Sequence, residues 1–162
     1  MNEQITEKII GCAYTVANTL GSGFLEKVYE NALAHELRKG GIDAKQQSGM
    51  NVYYDGIIVG EYVADLLVGN DILVELKAVK ALDNVHMAQC LNYLKATGLQ
   101  VCLLINFGSP RIEIKRIMNG FSCNSNTQDK HRYVSAVHKN VCIIRVHPIH
   151  LWLHNDCFKA TS

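Results

Sequence analysis

The stretch VADLLVGNDILVELKAV, residues 63–79, limits what this chain can fold into more than any other part of it. It reads as an apolar hairpin, yet Asp65, Glu75 and Lys77 stand where an ordinary core would hold apolar side chains. Period-2 alternation puts Glu75 and Lys77 on one face of a strand. Asp65 faces Glu75 directly only if the loop at 69–71 has three residues or an equivalent bulge; a two-residue turn at 70–71 pairs it with Leu76 instead. A buried charge is costly unless it is partnered, and two readings supply a partner. In one, Asp65 and Glu75 hold a divalent cation and Lys77 binds a phosphate oxygen or a water on the metal, the layout of a magnesium-dependent phosphodiesterase site. In the other, the three form a structural ion pair on a solvated strand face.

Around this hairpin the periodicity changes in an ordered way. Ile5, Ile9, Cys12, Val16 and Leu20 recur at helical spacing and predict a helix over 3–20. After Gly21, Ser22 and Gly23, a second helix is expected over 24–39, with Ser22 as its cap and Gly40-Gly41 as its stop. From 46 to 68 the pattern is that of strands, and Asp55-Gly56 between apolar runs signals a hairpin. A strand over 72–79, a helix over 84–97 ended by Gly98, a strand over 99–107 buried on both faces, and an edge strand over 112–117 complete the domain. The order helix, three strands, helix, strand defines an α/β architecture with a mixed sheet flanked by helices, in which the helix crossover makes the strand at 99–107 parallel to its neighbour.

Composition narrows the partners only by exclusion. A formal net charge of +1 gives no global basic field, so contact with nucleic acid must rest on a local patch. No apolar run is long enough to span a membrane, and the acidic start MNEQITEKII lacks the pattern of a signal peptide, so a cytoplasmic protein is expected. Cys12, Cys90 and Cys102 fall inside apolar segments and no CxxC pair occurs, as for reduced core residues.

Two helix faces add candidates. Glu26 and Tyr29 share the apolar stripe of the second helix, an odd place for a surface glutamate, although an acid in a first turn is also favoured by the helix dipole. Gln89 and Tyr93 lie four apart on the later helix, where they either support a site or simply bridge core and solvent.

Taken together, GxGFLExxYE, DLLV, VELKAV, HxAQxLNYL and LLINFGS resemble the GxxExxY family, a branch of the PD-(D/E)xK nuclease superfamily, over residues 5–117. The resemblance implies a restriction-endonuclease-like core in residues 1–118. It makes Asp65 the metal-binding aspartate, Glu75 the second carboxylate, Lys77 the lysine of the ExK element and Glu26 the helix glutamate that completes the metal shell. The backbone carbonyl of Leu76 is a further oxygen ligand, and Gln89, Tyr93 and Tyr29 are the supporting or substrate-contacting residues. The implied activity is hydrolysis of DNA, or secondarily RNA, by a metal-activated water, with Mg²⁺ as cofactor and Mn²⁺ as a substitute. One departure is Val63, where the family commonly has an arginine. The competing expectation is a non-catalytic module that keeps the fold and holds nucleic acid or protein in its groove. The oligomeric state stays open, a homodimer included.

Residues 119–162 match nothing in that pattern and are expected to be a C-terminal extension. Residues 1–118 hold 11 Lys and Arg against 13 Asp and Glu, a net of −2, whereas 119–162 hold 5 against 2, a net of +3. His147, His150, His154 and Cys157 form a weak zinc-site candidate that Pro148 interrupts, and 141–146 is expected as a short strand.

Overall fold

The structure, a computed structural model, describes residues 2–120 and 144–145. The helical spacing near the start forms α1 (Asn2–Leu20) and α2 (Glu26–Lys39). The strand-period region forms β1 (Ala44–Tyr54), β2 (Ile57–Val68) and β3 (Ile72–Lys77), followed by α3 (Asn84–Thr97), β4 (Val101–Asn106), β5 (Glu113–Met118) and β6 (Ile144–Arg145). The strands make one sheet in the order β1-β2-β3-β4-β5-β6. Every neighbouring pair is antiparallel except β3 and β4, which α3 joins as a parallel crossover. This is the mixed α/β sheet, flanked by helices, that the sequence implied.

Two turns set the registers. Asp55 and Gly56 both have positive φ, 49° and 81°, as a two-residue hairpin turn of the right twist requires, and they bring Tyr54 opposite Ile57. Between β2 and β3 the pairs Leu66↔Val74, Leu67↔Leu73 and Val68↔Ile72 enclose a loop of three residues, Gly69, Asn70 and Asp71. That is the register which brings Asp65 and Glu75 to the same end of the hairpin.

The core has two halves because β3 and β4 are covered on both faces. Ile9, Val16, Leu33 and Leu37 of α1 and α2 pack on Leu66, Val74, Leu76 and Leu103. On the other face Cys90, Tyr93 and Leu94 of α3 pack on Leu73, Cys102, Leu104 and Ile117. Asp83 caps α3, its Oδ1 accepting from the amides of Val85 at 2.9 Å and His86 at 3.1 Å, while Gly98 closes the helix at φ 74°.

Two expectations need correction, and a third is met. Helix α2 begins at Glu26, and its N-cap is Leu25 with no side-chain cap, so Ser22 is too far upstream to serve. Strand β3 ends at Lys77 rather than Val79 because the fully buried Asn106 takes over the backbone of Val79: its Oδ1 accepts from Val79 N at 3.0 Å and its Nδ2 donates to Val79 O at 2.9 Å. In the 119–162 region, Ile144 and Arg145 pair with Arg116 and Lys115 as the edge strand, inside the short strand expected at 141–146. The histidines and Cys157 of the zinc candidate lie outside the described residues.

Gly108 sits against the chain just beyond the end of β3. A Cβ there would fall on the backbone N and O of Val79 and on the carbonyl carbon of Ala78. Gly108→Ala is therefore expected to destabilise the domain by about 1–3 kcal/mol, the usual range for overpacking. Urea unfolding checks this, and an unchanged midpoint would refute the close approach.

Candidate active site

The site forms where the sheet's regular pairing fails. The β1–β2 ladder runs from Ala44↔Val68 to Gln46↔Leu66 and resumes at Ser48↔Ala64, skipping Gln47 and Asp65. The β2–β3 ladder stops at Leu66↔Val74. Gln47 has a left-handed backbone with φ 52°. Beside this break the Asp65 carboxylate bonds to backbone directly: Oδ2 accepts from the amide of Leu76 at 2.8 Å, and Oδ1 lies 3.5 Å from Gln47 Nε2.

Glu75, two residues before the end of β3, is 3% exposed. Its Oε1 accepts from Lys77 Nζ at 2.6 Å, whereas its Oε2 is buried without a hydrogen-bond partner. Burial, then the charges of Asp65 and Glu26, push the Glu75 carboxyl up to about 7 against the pull of Lys77. Burial also raises Asp65, opposed by the Leu76 amide and Lys77. For Lys77, burial works against the ammonium, but the hydrogen bond to Glu75 and the three surrounding carboxylates outweigh it and raise its pKa.

Glu26 enters from the first turn of α2. Its Oε1 is 3.9 Å from Lys77 Nζ, and its side chain is 43% exposed. Burial nonetheless raises its pKa, with Lys77 and a hydrogen bond from the Ala78 backbone opposing the shift. The crowding expected among the carboxylates is thus present, although desolvation outweighs repulsion as its cause.

On the α3 side, Gln89 Nε2 donates to Tyr93 Oη at 2.6 Å, and burial, with the charges of Glu75 and Asp65 adding to it, raises the Tyr93 phenol. Tyr93 also packs on Tyr62, with ring centres 5.2 Å apart. Both lie in a groove of about 330 Å³ that Gln89 and Asn92 also line, and a neighbouring groove of about 470 Å³ continues past Tyr53 and Lys95. Tyr29 is different. It is fully buried, stacks on Phe107 at 4.6 Å, donates to Gly21 O at 2.9 Å and accepts from Phe24 N at 3.1 Å. Of the two roles expected for Tyr29, supporting or substrate-contacting, these contacts match the first, at the α1–α2 turn.

Three contributors were missed in the sequence. Glu30 is buried and accepts from Lys27, Gln46 and Gln47. Its signal was available, since Glu30 is four residues from Glu26 and lies on the same apolar stripe as Leu33 and Leu37. Asn106 was legible as a lone amide in a wholly apolar strand. Gln47 carried no signal, because nothing in the residues foretells a left-handed break inside a strand.

A hard cation suits this donor set. Oxygen ligands predominate, and the unpartnered Oε2 of Glu75 together with raised carboxyl pKa values marks negative charge that the fold leaves uncompensated. Among the described residues, no three His, Cys, Asp or Glu side chains are arranged so that together they could hold a metal ion. The site is therefore no closed all-protein cage, but Mg²⁺ requires only one or two carboxylates and keeps several waters.

The profile of the PD-(D/E)XK nuclease superfamily matches residues 3–117, which contain every residue of the cluster, and the chain belongs to that superfamily. No curated protein matches the sequence. Among solved structures, SSO0001 aligns with TM-score 0.48 at 17% identity, over 60% of this chain and 52% of its own, so this chain spans about half its length. An alkaline exonuclease from Laribacter hongkongensis aligns with TM-score 0.40 at 15% identity, over 65% of this chain and 75% of its own. Among the described residues no helix is long and apolar enough to cross a membrane.

The raised Glu75 pKa makes stability depend on pH. A carboxyl whose folded pKa is about 7 instead of 4.5 holds its proton more tightly in the native state, so its favourable contribution is complete below 4.5 and is lost as pH rises through 7. Unfolding free energy should fall over that interval, by at most on the order of 3 kcal/mol from this group. Glu75→Gln should flatten the slope. Denaturant midpoints at intervals across this range test it, and an equal slope in both proteins would refute the buried, raised carboxyl.

Proposed function

We propose that this chain is a divalent-metal-dependent phosphodiester hydrolase of the GxxExxY branch, acting on DNA and secondarily on RNA. The observation that carries the reading is the buried Glu75 carboxylate, with one oxygen unpartnered and its pKa pushed up to about 7, next to Asp65 and Lys77. Asp65 and Glu75 would hold the ion, with the Leu76 carbonyl as a further oxygen donor and Glu26, at the rim, placed to meet the ion's waters. Mg²⁺ is the proposed cofactor, with Mn²⁺ as a substitute. Such an ion supplies Lewis acidity toward the phosphate and acidifies a bound water.

The chain's own residues do the rest. Lys77 is held by Glu75 at 2.6 Å and kept charged, so its ammonium is placed to meet a phosphate oxygen or orient the attacking water. The bond from Leu76 N–H fixes Asp65 with respect to β3. The groove beside Tyr93 offers aromatic faces and amides to bases rather than a basic field to a duplex backbone, which supports stacking as the mode of contact.

A second reading is favoured by Val63, which is 49% exposed where an arginine is common in the family, and by the absence of a closed metal cage among the described residues. It makes the chain a nucleic-acid-binding or protein-binding module without catalysis. Labelled single-stranded and duplex substrates with and without Mg²⁺ separate the two. Glu75→Gln should lower Mg²⁺-dependent cleavage by about 10³-fold, the scale for losing one preorganised group, while the apo variant melts at or above the parent. Saturating Mg²⁺ should raise the parent's melting temperature and leave the variant's unchanged. A variant that melts well below the parent and shows the same Mg²⁺ response would leave Glu75 a structural partner of Lys77 only.

A further inference from the structure

The α2 side of the site contains a device with no part in the chemistry above. Successive residues of a strand point to opposite faces, yet Gln46 and Gln47 both donate to the same carboxylate. Gln46 Nε2 reaches Glu30 Oε1 at 2.9 Å, and Gln47 Nε2 reaches Glu30 Oε2 at 2.7 Å. The left-handed backbone of Gln47, φ 52°, accounts for this: it breaks the alternation and turns the second amide to the side of the first. A non-glycine residue adopts that conformation at an energetic cost, and such outliers gather where the surroundings over-determine them. The ladder skips Gln47 and Asp65 together, so the strain and the site aspartate share one irregularity.

We propose that Gln47, locked by Glu30, is a positioning residue that orients Asp65. Glu30 has a side chain only 3% exposed, and Lys27 Nζ also donates to its Oε1, at 2.6 Å. A carboxylate only accepts, so the Gln47 amide must present its nitrogen to Glu30 and cannot flip. The same nitrogen has a second hydrogen, and Asp65 Oδ1 lies 3.5 Å away, at the outer edge of a hydrogen bond. The other oxygen of Asp65 is fixed by Leu76 N–H at 2.8 Å. One oxygen is thus referred to β3 and the other, through Gln47 and Glu30, to α2. Partners behind a ligand commonly change metal affinity or activity by 10- to 100-fold when removed.

This inference rests on the reading of Asp65 as a metal ligand, and the experiment separates the two. Mn²⁺ alone is titrated calorimetrically into the parent, Asp65→Asn, Gln47→Gly and Glu30→Gln, with melting temperatures measured in parallel. Glycine suits the left-handed backbone, so Gln47→Gly removes the amide without adding strain. The expected result is a Mn²⁺ affinity about tenfold weaker in Gln47→Gly, at a melting temperature close to the parent's, with cleavage recovered at saturating metal. A merely structural role would lower the melting temperature and leave affinity alone. If Gln47→Gly unfolds, Glu30→Gln, which frees the Gln47 amide to flip, must show the same weakening. Parent-like affinity in the folded variants, with Asp65→Asn unable to bind, overturns the positioning role and leaves the metal reading standing. Parent-like affinity in Asp65→Asn overturns both.

Discussion

The constraint on which the structure depends is the burial of Glu75 in a strand covered on both faces. Residues Ile72 to Leu76 of β3 are all buried, with α1 and α2 on one side and α3 on the other. A carboxylate there loses its hydration and recovers only part of that loss from one hydrogen bond to Lys77. An ordinary core would replace the pair with leucine or valine and gain stability. That the chain instead adds Asp65 and the partly buried Glu26 to the same place means that local stability is traded for concentrated negative charge. Within a nuclease superfamily such a concentration fits the proposed chemistry better than it fits a core built for stability alone.

Much of this was legible in the residues because it follows from periodicity. Alternation put Glu75 and Lys77 on one face, the length of the Gly69 loop set the register, and the unbroken apolar run of β4 announced a strand covered twice. The α3 boundaries, Asn84–Thr97, came from its apolar spacing and Gly98. What periodicity could not give was any departure from it. Ser22 satisfied a local capping rule, but the turn is fixed by the Tyr29 hydroxyl, a contact between residues made neighbours only by folding. Likewise β3 ends two residues before its periodicity predicts, because Asn106, 27 positions after Val79, takes the hydrogen bonds that would have continued it.

The candidate site mirrors this division. Asp65, Glu75 and Lys77 were found from charges that violate an apolar pattern, a signal that works wherever one strand is examined alone. Glu30 violates the α2 pattern in the same way, but the neighbouring Glu26 offered the same argument and a place in a familiar motif. The structure buries Glu30 and leaves Glu26 at the rim, so stripe position alone does not tell a buried acid from one at the edge of the site.

The irregular positions also explain how a strained centre is kept from relaxing. A left-handed Gln47 is energetically costly and would straighten if released. Glu30 opposes this through two adjacent amides, and Asn106 with Gly108 pins the chain just beyond Lys77 from the opposite direction. The cluster is thus clamped between α2 and the end of β4, two elements that belong to the larger apolar core. Packing far from the charges holds the geometry near them, which is why a sheet centre, the stiffest part of the fold, can carry its least favourable residues.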